Sequence, residues 1–148
     1  MRAIAAIFIG LMLVAATAAQ TVSGSVKRVR RGGATTGTIV LTIPQGFHVN
    51  SNRPNSRYLI PTSVALTSPG ATVTLRAYPA GKNKLFAFSE EPLNVYEGRV
   101  RFDFKLSVPR NFRRKTARIT VRVSFQPCTD EVCYQPQTKR LTVTARIY

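Results

Sequence analysis

Acidic residues are scarce: six aspartates and glutamates face 22 lysines and arginines, giving the 148-residue chain a formal charge of +16, or +15 once Arg2 is set aside. A field of that sign favours anionic surfaces or acidic partners, and it speaks to encounter and solubility rather than fold. The same scarcity counts against glycoside chemistry, which needs two carboxylates on either side of a bond. Glu90 and Glu91 are adjacent, and no partner carboxylate is indicated. With one histidine and two cysteines there is no ligand set for zinc, and His48 reads as a loop or packing residue. No Gly-x-Ser-x-Gly elbow points to a serine hydrolase. Zinc-finger spacing, an aromatic RNA-stacking motif and a basic helix are all missing, so nucleic-acid recognition would rest on charge alone. Helical periodicity is missing too, and no internal repeat or low-complexity tract divides the chain.

What is present begins with a targeting pattern. Arg2, an apolar run over 3–16 and the small residues Ala16-Thr17-Ala18-Ala19 have the order of a secretory signal, with cleavage expected after Ala18 or Ala19. An uncleaved anchor is the alternative, but the run is short for a span and a polar, β-patterned chain follows it. No cysteine follows the cleavage region to take a lipid. The expected organisation is a signal peptide over 1–19 and one soluble domain over 20–148, periplasmic or secreted. About 130 residues suffice for one core and are too few for two.

Three stretches alternate apolar and polar residues with period two, as strands with one buried and one wet face do. Val100, Phe102, Phe104 and Leu106 form one apolar set, Ile119, Val121, Val123 and Phe125 the second, and Leu141, Val143, Ala145 and Ile147 the third. Weaker strands are predicted over 22–29, 38–43, 58–60, 64–66, 72–78 and 93–96, punctuated by nine prolines that suit strand starts, edges and turns. Short strands at this spacing predict an all-β fold, an immunoglobulin-like antiparallel β-sandwich, with a closed barrel second. The unpatterned stretches 45–57 and 80–91 are candidate functional loops.

The only cysteines, Cys128 and Cys133, lie in a turn-rich break between two of the patterned strands, with four residues between them. A bridge closing so short a loop gains roughly 2 kcal/mol in the loop-entropy model, against about 4.7 for a 100-residue loop, so stability alone explains the pair poorly. Export would place both in a compartment where disulfides persist. Parity adds a constraint. Pairing the apolar set 119–125 with 141–147 puts odd residues opposite odd ones, whereas 128 and 133 differ in parity. A one-residue bulge or irregular turn must therefore intervene, expected within 134–139 where Pro136 interrupts pairing.

These segments resemble the N-terminal periplasmic domain of the transmembrane thiol–disulfide interchange protein DsbD, and more closely the stand-alone exported relatives of that domain. The likeness rests on Gly46-Phe47-His48-Val49-Asn50-Ser51-Asn52 with Tyr58-Leu59-Ile60-Pro61-Thr62, on Val95-Tyr96-Glu97-Gly98, and above all on Phe125-Gln126-Pro127-Cys128 with Cys133-Tyr134-Gln135-Pro136-Gln137-Thr138-Lys139. It implies an immunoglobulin-like sandwich whose cysteines, attacking and resolving in an order left open, pass electrons to exported thioredoxin-fold or other disulfide-bearing proteins. The exchange needs no cofactor. It does need a separate electron donor, because neither a membrane domain nor a thioredoxin domain is encoded here. In the family a cap loop shields the pair, and the matching stretch offers Phe86, Phe88, Glu90 and Glu91. The usual cap motif, an acidic pair followed by two aromatics and glycine, is absent, and four residues separate the cysteines where the transmembrane protein has five.

Exchange requires a thiolate, and neighbours decide how much forms. Asp130 and Glu131 stand between the cysteines and would oppose a second negative charge, while the wider basic field is screened beyond about 8–10 Å. A slow, selective thiol that reacts when a partner docks is expected. Tyr134 is placed to pack over the pair or meet a partner. The rival expectation is a non-catalytic binding module, its bridge structural and its basic face docked on an anionic surface or an acidic protein.

Overall fold

The computed structural model describes residues 19–148, so all but the last residue of the expected signal peptide lies outside the described residues. The strands are β1 (Thr21–Val26), β2 (Ala34–Thr42), β3 (His48–Asn50), β4 (Ser63–Thr67), β5 (Thr72–Leu75), β6 (Lys82–Lys84), β7 (Leu93–Tyr96), β8 (Arg99–Ser107), β9 (Thr116–Phe125), β10 (Pro127–Cys128) and β11 (Gln137–Arg146). They form three antiparallel sheets, ordered β1-β2-β8-β5, β11-β9-β4 and β10-β3-β7-β6. No helix occurs among the described residues, and the architecture is an immunoglobulin-like β-sandwich.

The first two sheets enclose the core. Alternation along β8 and β9 buries Phe102, Phe104, Leu106, Ile119, Val121, Val123 and Phe125, and β2 adds Ile39 and Leu41. Removing such side chains from water is the main stabilising term of the fold. The opposite faces of the same strands stay wet because their arginines and threonines need no partner there. Gly37 is required by packing: a Cβ on it would collide with the ring of Phe104 and the Ser25 carbonyl. Between β9 and β11 the register sets Val143 against Ile119 and Leu141 against Val121, so odd faces odd as expected.

Several predicted elements differ, among them the strand expected over 22–29, which ends at Val26. The stretch 58–60 is a turn, not a strand: the Leu59 amide donates to the Ser56 carbonyl at 3.3 Å, Tyr58 is 81% exposed and Pro61 follows. Pairing predicted to Tyr78 stops at Leu75, after which Tyr78 turns inward, its ring edge-on to Phe102 and its hydroxyl accepting the Val64 amide at 2.8 Å. The two stretches read as patternless each contain a short strand, β3 and β6, which assemble with β7 and β10 into the third sheet. A second, small apolar cluster of Phe86, Leu93 and Val95, with Leu59 against it, lies with that sheet.

Candidate functional site

Beyond Phe125 the chain leaves the β9 ladder. Pro127 and Cys128 pair instead with Val49 and His48 of β3, so one strand serves two sheets in succession. A tight turn follows: the Thr129 amide donates to the Val132 carbonyl at 2.8 Å, and the Thr129 hydroxyl accepts the amides of Glu131 and Val132 at 3.3 and 3.2 Å. Threonine favours such local turns because its short side chain reaches backbone two and three residues on. The returning Tyr134 amide donates to the Pro127 carbonyl at 2.8 Å, which brings Cys133 opposite Cys128, and the two are disulfide-bonded. The regular ladder resumes at Gln137 opposite Phe125. The one-residue slip demanded by parity thus falls between Tyr134 and Gln137, around Pro136.

The two sulfurs sit in unlike surroundings. Cys128 is 1% exposed, whereas Cys133 lies on the surface beside Val132 and Tyr134, both about half exposed. Phe47 faces Tyr134 with ring centroids 6.1 Å apart. Gly46, at φ 84°, makes the turn that admits the chain to β3; only glycine takes that conformation without strain.

Opposite Cys128 stands His48, 1% exposed, its ring stacked on Phe86 at 4.1 Å. Phe86 belongs to the segment after β6. Since β6 pairs with β7 and not β3, this segment crosses the sheet to reach the histidine. Phe86 is itself stacked on the half-exposed Phe88 at 5.3 Å. Of the residues expected in the cap loop, the two aromatics therefore form a column over His48, while Glu90 and Glu91 point to solvent in a turn closed by Ser89. Lys84 ties the parts together. Its ammonium donates to Glu97 at 2.8 Å, stands 3.8 Å from Asp130 and lies 5.2 Å from the Phe86 ring centre. Asp130 thus faces a cation, and Glu131 is exposed. The Glu97 hydrogen bond raises the Lys84 pKa. Burial, helped by the Lys84 charge and opposed by Glu97 and Asp130, lowers that of His48.

Buried polar groups hold the frame. Asn50 donates to the Ile60 carbonyl at 3.0 Å, and its own carbonyl accepts the Thr62 hydroxyl at 2.6 Å. The Tyr96 hydroxyl, its pKa raised by burial, lies 2.8 Å from both Asn52 Oδ1 and the Pro79 carbonyl. The sequence singled out Cys128, Cys133, Phe86 and Phe88 as candidates but not His48, which pairs with Cys128, nor Lys84, which reaches Asp130 and Phe86. The signal was present in Gly46-Phe47-His48-Val49, a segment singled out for its likeness and not for its chemistry.

Comparison with known proteins sets this geometry in a family. The N-terminal periplasmic domain of ScsB from Proteus mirabilis superposes with a TM-score of 0.55 at 11% identity, covering 84% of this chain and 45% of that one. This chain therefore spans less than half the length of that relative. The Neisseria meningitidis DsbD N-terminal domain in the reduced form gives a TM-score of 0.48 at 12% identity, over 84% of this chain and 85% of that one. No curated protein matches by sequence. The family model described as thiol:disulfide interchange protein DsbD, N-terminal, matches residues 15–145, nearly the whole chain, and the protein belongs to that family.

Proposed function

We propose that residues 20–148 form an exported thiol–disulfide exchange module, released from a signal peptide over 1–19, that passes two electrons to disulfide-bearing proteins through Cys128 and Cys133. The observation that carries this reading is the unequal exposure of the two bonded sulfurs, one open and one buried. A partner reaches Cys133 first. In the reduced protein the Cys133 thiolate attacks one sulfur of the partner's disulfide, and the other leaves with the electron pair. Cys128 then attacks Cys133 Sγ, closing the internal bond and releasing the partner as a dithiol. A dithiol donor reverses the sequence to restore the reduced pair. Lys84 opposite Asp130 offsets one of the two acids flanking the reacting sulfurs.

The reading is tested by mixing reduced protein with a purified, oxidised thioredoxin-fold protein. Cys128→Ser should accumulate a mixed disulfide, seen as a band that thiol reductant removes, and Cys133→Ser should not. Equal capture by both variants, or by neither, would overturn it.

A second reading is supported by the outer face of β9 and β11. Arg118, Arg122, Arg140 and Arg146 are exposed there among threonines, with no acid on either strand and Arg122 directly opposite Arg140. On this reading the chain is a binding module that docks on an anionic surface, and the bridge is structural. Sedimentation with anionic vesicles at rising salt separates the two, since docking by charge alone would persist in the double serine variant and fade with salt.

A further inference from the structure

We propose that His48 is the base that takes the proton from Cys128 when this buried thiol resolves the mixed disulfide, an assignment that rests on the exchange reading above. The two residues are direct partners in the antiparallel pairing of β3 with β10. Side chains so opposed project to the same face with Cβ atoms about 4.5–5.5 Å apart, close enough for a thiol freed from the disulfide, where its sulfur lies 3.9 Å from the Gln126 carbonyl, to turn toward the imidazole. His48 is one of very few polar residues buried here, and its Nε2 has no hydrogen-bond partner among the described residues. Nearly all buried polar atoms in folded proteins are paired, so an orphaned ring nitrogen on the residue paired with Cys128 calls for a reason. Asn50, two residues along β3, and Thr62, hydrogen-bonded to it, do have partners, so the region is not generally short of them.

The chemistry supplies the reason. Cys133 is at the surface and exchanges its proton with water. Cys128 is sealed, and once the internal disulfide opens its thiol must lose a proton with no solvent beside it. A neutral imidazole is the side chain that accepts a proton near physiological pH. The charged groups facing this ring are Lys84, Glu97 and Asp130, and burial with Lys84 outweighs the two acids, lowering its pKa and favouring the neutral, proton-accepting form. The stack on Phe86, backed by Phe88, fixes its plane. In the step itself the Cys128 proton passes to Nε2 and the thiolate attacks Cys133 Sγ. The new S–S bond forms as the bond to the partner breaks, and the departing thiolate takes a proton from the imidazolium or from water. When a dithiol donor reduces the disulfide, the imidazole takes up the proton given up by the attacking donor thiol and passes it to Cys128 as that sulfur leaves as the thiolate.

Single-turnover reaction of the reduced chain with dithiobis(nitrobenzoate) separates the two events, because each sulfur attack releases one coloured thiolate. The fast phase reports Cys133 and the slow phase reports resolution by Cys128. In His48→Gln the slow phase should fall at least about 10-fold at neutral pH while the fast phase holds, and its pH inflection should move up toward that of an unassisted thiol, about 8.5. His48→Phe keeps the stack on Phe86 without a ring nitrogen and should behave alike. An unchanged slow phase and pH profile in a folded variant would overturn the proposal, whereas loss of the two-phase release in the parent chain would overturn the exchange reading instead. A measurement without any variant completes the test. His48 is the only histidine, so its ring proton resonances need no assignment. Its titration should differ between the oxidised and reduced protein, and coincident curves would refute the proposal.

Discussion

The two long-stranded sheets and the small third sheet are built on opposite terms. In the former, β8, β9 and β11 run nine or ten residues with strict alternation and bury almost nothing polar. In the latter, β3 has three residues, all buried, two of them polar, and β10 has two. Regularity supplies stability, and the short sheet uses that support to hold groups that would not stay buried on their own: a histidine, an asparagine and one half of a disulfide. A candidate site on the least regular part of a rigid sandwich fits the way sites are carried by the margins of a scaffold.

That division is broken most forcefully from the regular side. Phe104→Ala removes a fully buried ring from β8 and should cost about 3–5 kcal/mol of unfolding free energy by urea titration, while molecules that remain folded still release both coloured thiolates at the parent's rates. A proportional fall in those rates would mean that the two parts are not separable. A smaller effect comes from the site side. Because the folded pKa of His48 lies below its ordinary 6.5, the unfolded chain takes up this proton first. The stability the neutral ring contributes is therefore present above 6.5 and is lost as pH falls below it. His48→Phe should flatten that acid-side decline of the urea midpoint, and an unaltered decline would assign it to other groups. The smallest effect is expected on the wet face, where like charges directly opposed are destabilising. Arg122→Glu should gain about 0.2–1 kcal/mol against Arg140, a gain that shrinks as salt is added.

The same contrast explains what the sequence disclosed. Val100 to Leu106 and Ile119 to Phe125 announced their strands because each has one face in the core and one in water, and even the register slip near Pro136 followed from parity. His48-Val49-Asn50 carried no such pattern. Both of its faces are covered, and Asn50 depends on Ile60 and Thr62, groups ten and twelve residues away. Lys82-Asn83-Lys84 is a strand only because Asn94 and its neighbours pair with it. Conversely, Tyr58-Leu59-Ile60 has strand-like composition but precedes Pro61 and pairs with nothing in the three sheets. The cysteines were legible as a redox candidate from spacing and context. The imidazole opposite Cys128 was not, since 80 residues of chain separate them and only the completed sheet makes them neighbours.

The sheltered position of Cys128 bears on chemical damage. On the proposed exchange reading, a peroxide meeting the reduced protein would find the exposed Cys133 first and convert it to a sulfenic acid, the last rung of the oxidation ladder from which a neighbouring thiol recovers the sulfur by condensing to a disulfide. Cys128, screened from the same oxidant, would stay intact to make that repair, so an oxidative hit would re-form the bridge and spare the molecule the irreversible acids.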